Sequence, residues 1–238
     1  MKQSLFDIRC EWGEQGIVNL RDACDVIIVV DILSFSTCTS LAADRGAIVY
    51  PTTIDPQKAI DYADELQAQC ASKRGESNET DTISLSPASF LDMSLGQRIV
   101  LPSPNGATLS LMGGDTPILS GSLRNARATA TAAMQLGATI GIVPAGERWQ
   151  DNSLRPAWED LIGAGAIINE LDGHRSPEAA VAEMAYLSVT GELEERMASA
   201  VSGRALIELG YEQDVALACE ENADAYAARL VNGAFVQF

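Results

Sequence analysis

The first residue in this sequence able to do chemistry is an aspartate closing an apolar run. Residues 25–33 read DVIIVVDIL, a short β-branched stretch that predicts a buried strand. Asp31 ends that run, and Ser34, Ser36 and Thr37 follow it at the start of a helix predicted over 35–45. Ligands of parallel sheets bind beyond the carboxyl ends of strands. A helix N-terminus there offers free N–H groups to an anion such as phosphate. In that setting Asp31 can hold a metal ion or act as a nucleophile. The same residues also suit a plain helix cap, and at this point both readings stay open.

Three more junctions carry polar residues. Ser103-Pro104-Asn105-Gly106-Ala107-Thr108 follows a brief strand, and its Asn-Gly pair exposes backbone amides or makes a simple turn. Ser122-Leu123-Arg124-Asn125 lies at a strand-to-helix junction, where Asn125 also reads as an N-cap and Arg124 as surface. Pro144-Ala145-Gly146-Glu147 leads to Trp158-Glu159-Asp160 in the first turn of a predicted helix. Asp31, Glu147, Glu159 and Asp160 together offer oxygen ligands for Mg²⁺, which takes one or two carboxylates plus waters and substrate oxygens. Glu159 and Asp160 point about 100° apart on a helix, so both do not face one ion. Acids in a first turn are also favourable through the helix dipole alone.

Composition narrows the chemistry. The 238 residues carry 33 acids and 16 bases, a formal charge of −17. No basic stripe suits a phosphate backbone, so no nucleic-acid partner is expected. No stretch approaches 18 apolar residues, so no membrane span is expected. Five scattered cysteines without close spacing point to a reduced, cytoplasmic protein. His174 is the single histidine and lies in a turn-like run, which leaves carboxylates, hydroxyls, amides and a hard metal ion for any catalysis. Residues 72–84 are polar and aperiodic. They read as an insertion or a lid in which Arg74, Gly75 and Glu76 could close over a ligand.

The elements that must position these residues alternate. Strands are expected over 3–10, 25–33, 47–50, 99–101, 117–120 and 138–143, and an edge strand over 230–238. Helices are expected over 35–45, from 55 to about 71, and over 125–136, 156–170, 177–190, 192–200, 203–209 and 214–225. Gly163, Ala164 and Gly165 allow close helix packing. This alternation predicts a three-layer α/β/α fold with a largely parallel, mixed central sheet, in one domain over 1–238.

The apolar strand ending in Asp31 invites comparison with haloacid-dehalogenase phosphatases. Their loop needs a second acid two residues on, where this chain has Leu33. A different ordered set matches better. VVDILSFST (29–37), Gly75-Glu76, Ser86-Pro87, SPNGATL (103–109), SLRNA (122–126), AGE (145–147), EDLIGAG (159–165) and a C-terminal GR…LGY…DV resemble the ComB family of 2-phosphosulfolactate phosphatases. Where that family often has Arg-Ala, this chain has Ser34-Phe35; Arg124, Arg148 and Arg155 are the candidate replacement cations.

The resemblance implies a Mg²⁺-dependent phosphatase that converts (2R)-2-phospho-3-sulfolactate to 3-sulfolactate and phosphate in a coenzyme M type pathway. On that reading Asp31 and Glu147 are catalytic. Asp31, Glu159 and Asp160 hold the metal. Ser34, Ser36, Thr37, Asn105, Gly106, Arg124 and Asn125 bind the small anionic phosphoester. The competing reading is a non-catalytic anion-binding protein on the same scaffold. A homodimer is an accessory expectation.

Overall fold

A computed structural model describes residues 3–52, 55–75 and 83–238. In chain order the first elements are β1 (Ile8–Cys10), α1 (Gly13–Leu20), β2 (Val26–Val30), α2 (Phe35–Asp44), β3 (Ile48–Thr52), α3 (Pro56–Leu66) and β4 (Gln69–Cys70). Next come β5 (Arg98–Pro102), α4 (Gly106–Leu111), β6 (Ile118–Gly121), α5 (Ala126–Leu136), β7 (Ile140–Pro144), β8 (Glu147–Arg148) and β9 (Leu154–Arg155). The chain then turns helical through α6 (Trp158–Asn169), α7 (Pro177–Leu187), α8 (Leu193–Ser199), α9 (Val201–Glu208) and α10 (Glu212–Ala218). It ends on β10 (Ala228–Val231) and β11 (Ala234–Gln237).

Nine strands form one mixed sheet in the order β1-β7-β2-β6-β10-β11-β3-β5-β4. The pairs among β1, β7, β2 and β6 are parallel, as are those among β3, β5 and β4. The C-terminal hairpin joins the two parallel blocks through antiparallel pairs. β2 shows why helices cover both faces. Its residues alternate between sides, and all five are buried. Val26, Ile28 and Val30 pack with Ala130 of α5, Ile162 and Ile167 of α6, and Ala182 of α7. Ile27 and Val29 pack with Ile17 of α1, Phe35 and Cys38 of α2, and Leu109 of α4. Ile99, Leu101 and Phe235 join this second cluster, so both parallel blocks and the hairpin between them pack around α2. That is the expected α/β/α layering.

Several expectations changed. The strand predicted over 230–238 is no edge: it is part of the β10–β11 hairpin in mid-sheet. Asn232 and Gly233 both take positive φ in its two-residue turn. That turn chemistry matches a type I′ hairpin. The helix predicted to reach 71 stops at Leu66, because Gln67 turns left-handed and Gln69–Cys70 pairs with β5. The helix predicted over 214–225 ends at Ala218. Helices α1 and α4 were not foreseen. Residues 76–82, most of the predicted polar loop including Glu76, lie outside the described residues. Among the described residues no helix is long and apolar enough to cross a membrane.

Candidate active site

Three polar segments meet where β2 ends: the β2–α2 turn, the turn before α4, and the β7–β8 turn with the start of α6. Asp31 sits at their junction and is buried. Its Oδ2 accepts a hydrogen bond from the Gly106 backbone N–H at 2.7 Å and from the Ser103 hydroxyl at 3.4 Å. The Phe35 amide, at the start of α2, also favours its charged form. Gly106 is the residue this approach requires. A Cβ there would lie 2.4 Å from Cδ1 of Phe35 and 2.8 Å from Oδ2 of Asp31. The turn itself is locked from behind. The Asp31 N–H donates to Ser36 Oγ at 2.9 Å, the Ser36 N–H donates to the Asp31 carbonyl, and Thr37 Oγ1 donates to the Ile32 carbonyl at 2.7 Å. The Leu33–Ser34 peptide within it is cis.

Asp160 is a strap. Its Oδ1 accepts the Ile32 N–H and its Oδ2 the Gly146 N–H, each at 2.8 Å. One buried carboxylate thereby ties α6 to the turns leaving β2 and β7. Glu159, its neighbour in the first turn of α6, is buried too. Glu147 stands on β8, and its Oε2 accepts from Asn105 Nδ2 at 3.1 Å.

The electrostatics follow from crowding acids in a dry place. Burial first, and then the charges of Glu147 and Glu159, push the Asp31 carboxyl up to about 7 against the opposing pull of the Gly106 and Phe35 amides. Asp160 is raised well above the usual carboxylate range, first by burial and then by Asp31 and Glu159. Glu147 is raised by burial and by Glu159, against the Asn105 hydrogen bond and the Arg155 charge. Among the described residues none of these four acids makes an ion pair. Nor do three acids there close on one point as a ready-made cage. A site needing only one or two carboxylates, with water and substrate supplying the rest, is what Mg²⁺ accepts. Asp31, Glu147 and Glu159 fit that donor set. Asp160, with both oxygens on backbone amides, fits better as their support.

The expected substrate donors divide. Ser34, Asn105 and Gly106 lie at the junction, although the Gly106 amide is spent on Asp31. The hydroxyls of Ser36 and Thr37 are fully buried and hold the turn. The carboxamide of Asn125 accepts from the Ser122 N–H and hydroxyl and donates to the Ser120 carbonyl, so it closes the turn before α5. Arg124 is committed elsewhere, to Asp224 through Nε and Nη2, and to Glu220 and the Leu217 carbonyl through Nη1. Arg148 pairs with Glu14. Arg155 donates to Ser202 and stacks on Trp149, while its charge acts on Glu147. The arginine that reaches the β2–α2 turn is Arg74, whose Nη2 donates to Ser34 Oγ. His174 is exposed, packed on Phe6.

Sequence reasoning missed Asp214. It lies in the first turn of α10, where an acid suits the helix dipole, and in the sequence it had no role beyond its place in the C-terminal DV motif. In the structure it is buried and binds Ser86, Ala88 and Arg74 from distant segments. Ser86-Pro87 and Asp214-Val215 both stood among the matching motifs, and that was the available signal.

A cleft of about 240 Å³ opens beside Asn105, lined by Trp12, Ala145, Arg148 and Leu154 among others. A larger one of about 370 Å³ lies between Arg127, Asn222 and Phe238, and none of the four acids lines either cleft. The smaller cleft meets the junction through Ala145 and through Asn105, the partner of Glu147.

Comparison with known proteins gives one consistent answer. The family model described as 2-phosphosulpholactate phosphatase matches residues 15–233. The chain is 28% identical over 204 residues to a probable 2-phosphosulfolactate phosphatase of Carboxydothermus hydrogenoformans, covering 82% of each chain. It is 26% identical over 219 residues to one of Thermotoga maritima, covering 90% of this chain and 92% of that one. With its acids gathered at the strand ends of an α/β/α fold, the chain belongs to the 2-phosphosulpholactate phosphatase family, whose name denotes phosphoric monoester hydrolases.

Proposed function

We propose that this protein is a Mg²⁺-dependent phosphatase that hydrolyses (2R)-2-phospho-3-sulfolactate to 3-sulfolactate and phosphate. The observation that carries the reading is the group of carboxylates at the β2–α2 junction, three buried and Glu147 half-buried, mutually repelling and without an ion-pair partner among the described residues. Such a group needs a cation, and a substrate with three anionic groups approaching a −17 chain needs one as well. Asp31 and Glu159 would hold Mg²⁺, and the bound ion would offset charge on the phosphoryl oxygens. Glu147, raised above its ordinary value, takes a proton from the attacking water as the water oxygen bonds to phosphorus. The bond from phosphorus to the C2 oxygen breaks on the face opposite the attacking water, the leaving oxygen takes its proton from solvent, and Glu147 releases to solvent the one it took. Asn105 orients Glu147 throughout. The proposed setting is a coenzyme M type pathway.

Phosphate release from 2-phospho-3-sulfolactate, with 2-phospholactate as control and with and without Mg²⁺, tests this. Turnover that needs Mg²⁺ and prefers the sulfonated ester is expected. Asp31→Asn is expected to lower kcat by at least about 10²-fold, a typical contribution of one catalytic group, with the circular dichroism unchanged. Full activity in that variant removes Asp31 from the mechanism. Binding of 3-sulfolactate without turnover at any Mg²⁺ concentration replaces the enzyme with an anion-binding protein. In an acid-quenched single turnover, phosphate trapped on Asp31 supports an aspartyl-phosphate, and none trapped supports direct water attack.

A further inference from the structure

Arg74 is the described arginine that touches the β2–α2 turn, and nothing so far uses it. It comes from the polar segment after β4, and its side chain is mostly buried. Three groups fix its guanidinium. Nε donates to Asp214 Oδ2 at 3.3 Å, Nη2 donates to Ser34 Oγ, and the plane lies 5.4 Å from the centre of the Tyr211 ring. The ion pair with Asp214 is one-point, through Nε. Asp214 is not dedicated to it, because its Oδ1 takes the Ser86 hydroxyl at 2.6 Å and the Ala88 N–H at 3.2 Å. Nη1 has no hydrogen-bond partner among the described residues, and Nη2 keeps a second N–H. The Nη1–Nη2 edge is therefore a preformed two-point donor, the geometry that matches a planar or tetrahedral oxyanion.

Position says which anion. Ser34 is three residues beyond Asp31 in one tight turn, and the Cys38 thiol one turn further on feels the charges of both Arg74 and Asp31. The site thus has an acidic end at Asp31, Glu147 and Glu159, and a cationic end at Arg74. In 2-phospho-3-sulfolactate the phosphate and carboxylate share C2, and the sulfonate on C3 is the remaining charge. A cation-loaded acidic end receives the phosphoryl group, and a fixed guanidinium at the other end suits the distal oxyanion.

Building on the phosphatase reading, we propose that Arg74 binds the substrate sulfonate and sets the preference for sulfonated esters. Ser34 and Asp214 are positioning residues that hold it there.

The test reads a ratio, kcat/KM for 2-phospho-3-sulfolactate over 2-phospholactate, in the wild-type chain, Arg74→Ala, Arg74→Gln and Arg74→Lys. Losing one charge-assisted contact lowers that ratio on the order of 10- to 100-fold in Arg74→Ala, chiefly through KM for the sulfonated ester. Arg74→Lys restores part of it. Arg74→Gln keeps the aliphatic stem and a neutral donor at the place of Nε, facing Asp214, without the charge, so it gives the low ratio even if the alanine variant folds poorly. An unchanged ratio, or equal losses on both esters, overturns the proposal. If the wild-type chain releases phosphate from neither ester, the phosphatase reading has failed separately. Calorimetry with 3-sulfolactate then decides on Arg74. Weaker binding by Arg74→Gln than by wild type supports the sulfonate site, and equal or absent binding overturns it.

Discussion

Asp31 carries opposing demands on a single carboxyl. Burial and the charge of Glu147 push its pKa up to about 7, while two amides at helix starts pull it down. An unfolded aspartate titrates near 4. Between roughly pH 4 and 7, the unfolded chain sheds a proton that the folded chain keeps. The stability this group contributes is thus fully present below about pH 4 and lost as pH rises through about 7. In chelator, the urea midpoint of Asp31→Asn should gain on the wild type across that window and stay level above it. Parallel curves for the two proteins would mean that Asp31 is not strained by its neighbours. Mg²⁺ at pH 8 should reverse the order by raising the wild-type midpoint and leaving that of the variant nearly unchanged.

Among the elements, α6 decides the geometry of the acids, because Glu159 and Asp160 start it and Asp160 straps it to both turns. α6 is held close to α7 by Gly165, where a Cβ would stand 2.0 Å from the Ala182 carbonyl oxygen. Gly165→Ala must push the helices apart, and overpacking of this kind costs on the order of 1–3 kcal/mol. Urea denaturation should show that loss, and phosphate release should fall with it as the shift carries Glu159 out of place. A variant with wild-type stability and activity would show that α6 does not depend on this contact. The small residues at 163–165 were legible as a packing device in the sequence, as was Asp31 at a strand end, since both are local patterns. The mid-sheet hairpin was not legible, because Leu230–Phe238 looks the same at an edge or a centre. Its Asn232-Gly233 turn was the sign passed over. The role of Asp214 and its meeting with Arg74, an arginine already named as able to close over a ligand, stayed hidden for a related reason: the partners Ser86 and Arg74 lie 128 and 140 residues from Asp214 in sequence, and no periodicity reports such a meeting.

At the scale of the whole molecule, charge works against the reaction. A chain of formal charge −17 repels a substrate with three anionic groups, and the local cations at the site are few. Long-range repulsion is screened as the Debye length falls from about 30 Å at 0.01 M salt to about 8 Å at 0.15 M. Contacts within a few ångströms inside the site, such as that of Arg74 with a bound oxyanion, are screened much less. Raising salt over that range at saturating Mg²⁺ should therefore lower KM for 2-phospho-3-sulfolactate while leaving kcat nearly level. A neutral-tailed phosphomonoester, carrying less charge, should show a smaller change. The opposite sign, with KM rising as salt is added, would mean that the field at the cleft mouth is positive. Arg74, Arg155 and the bound cation would then outweigh the acidic surface, and the net charge would serve solubility alone.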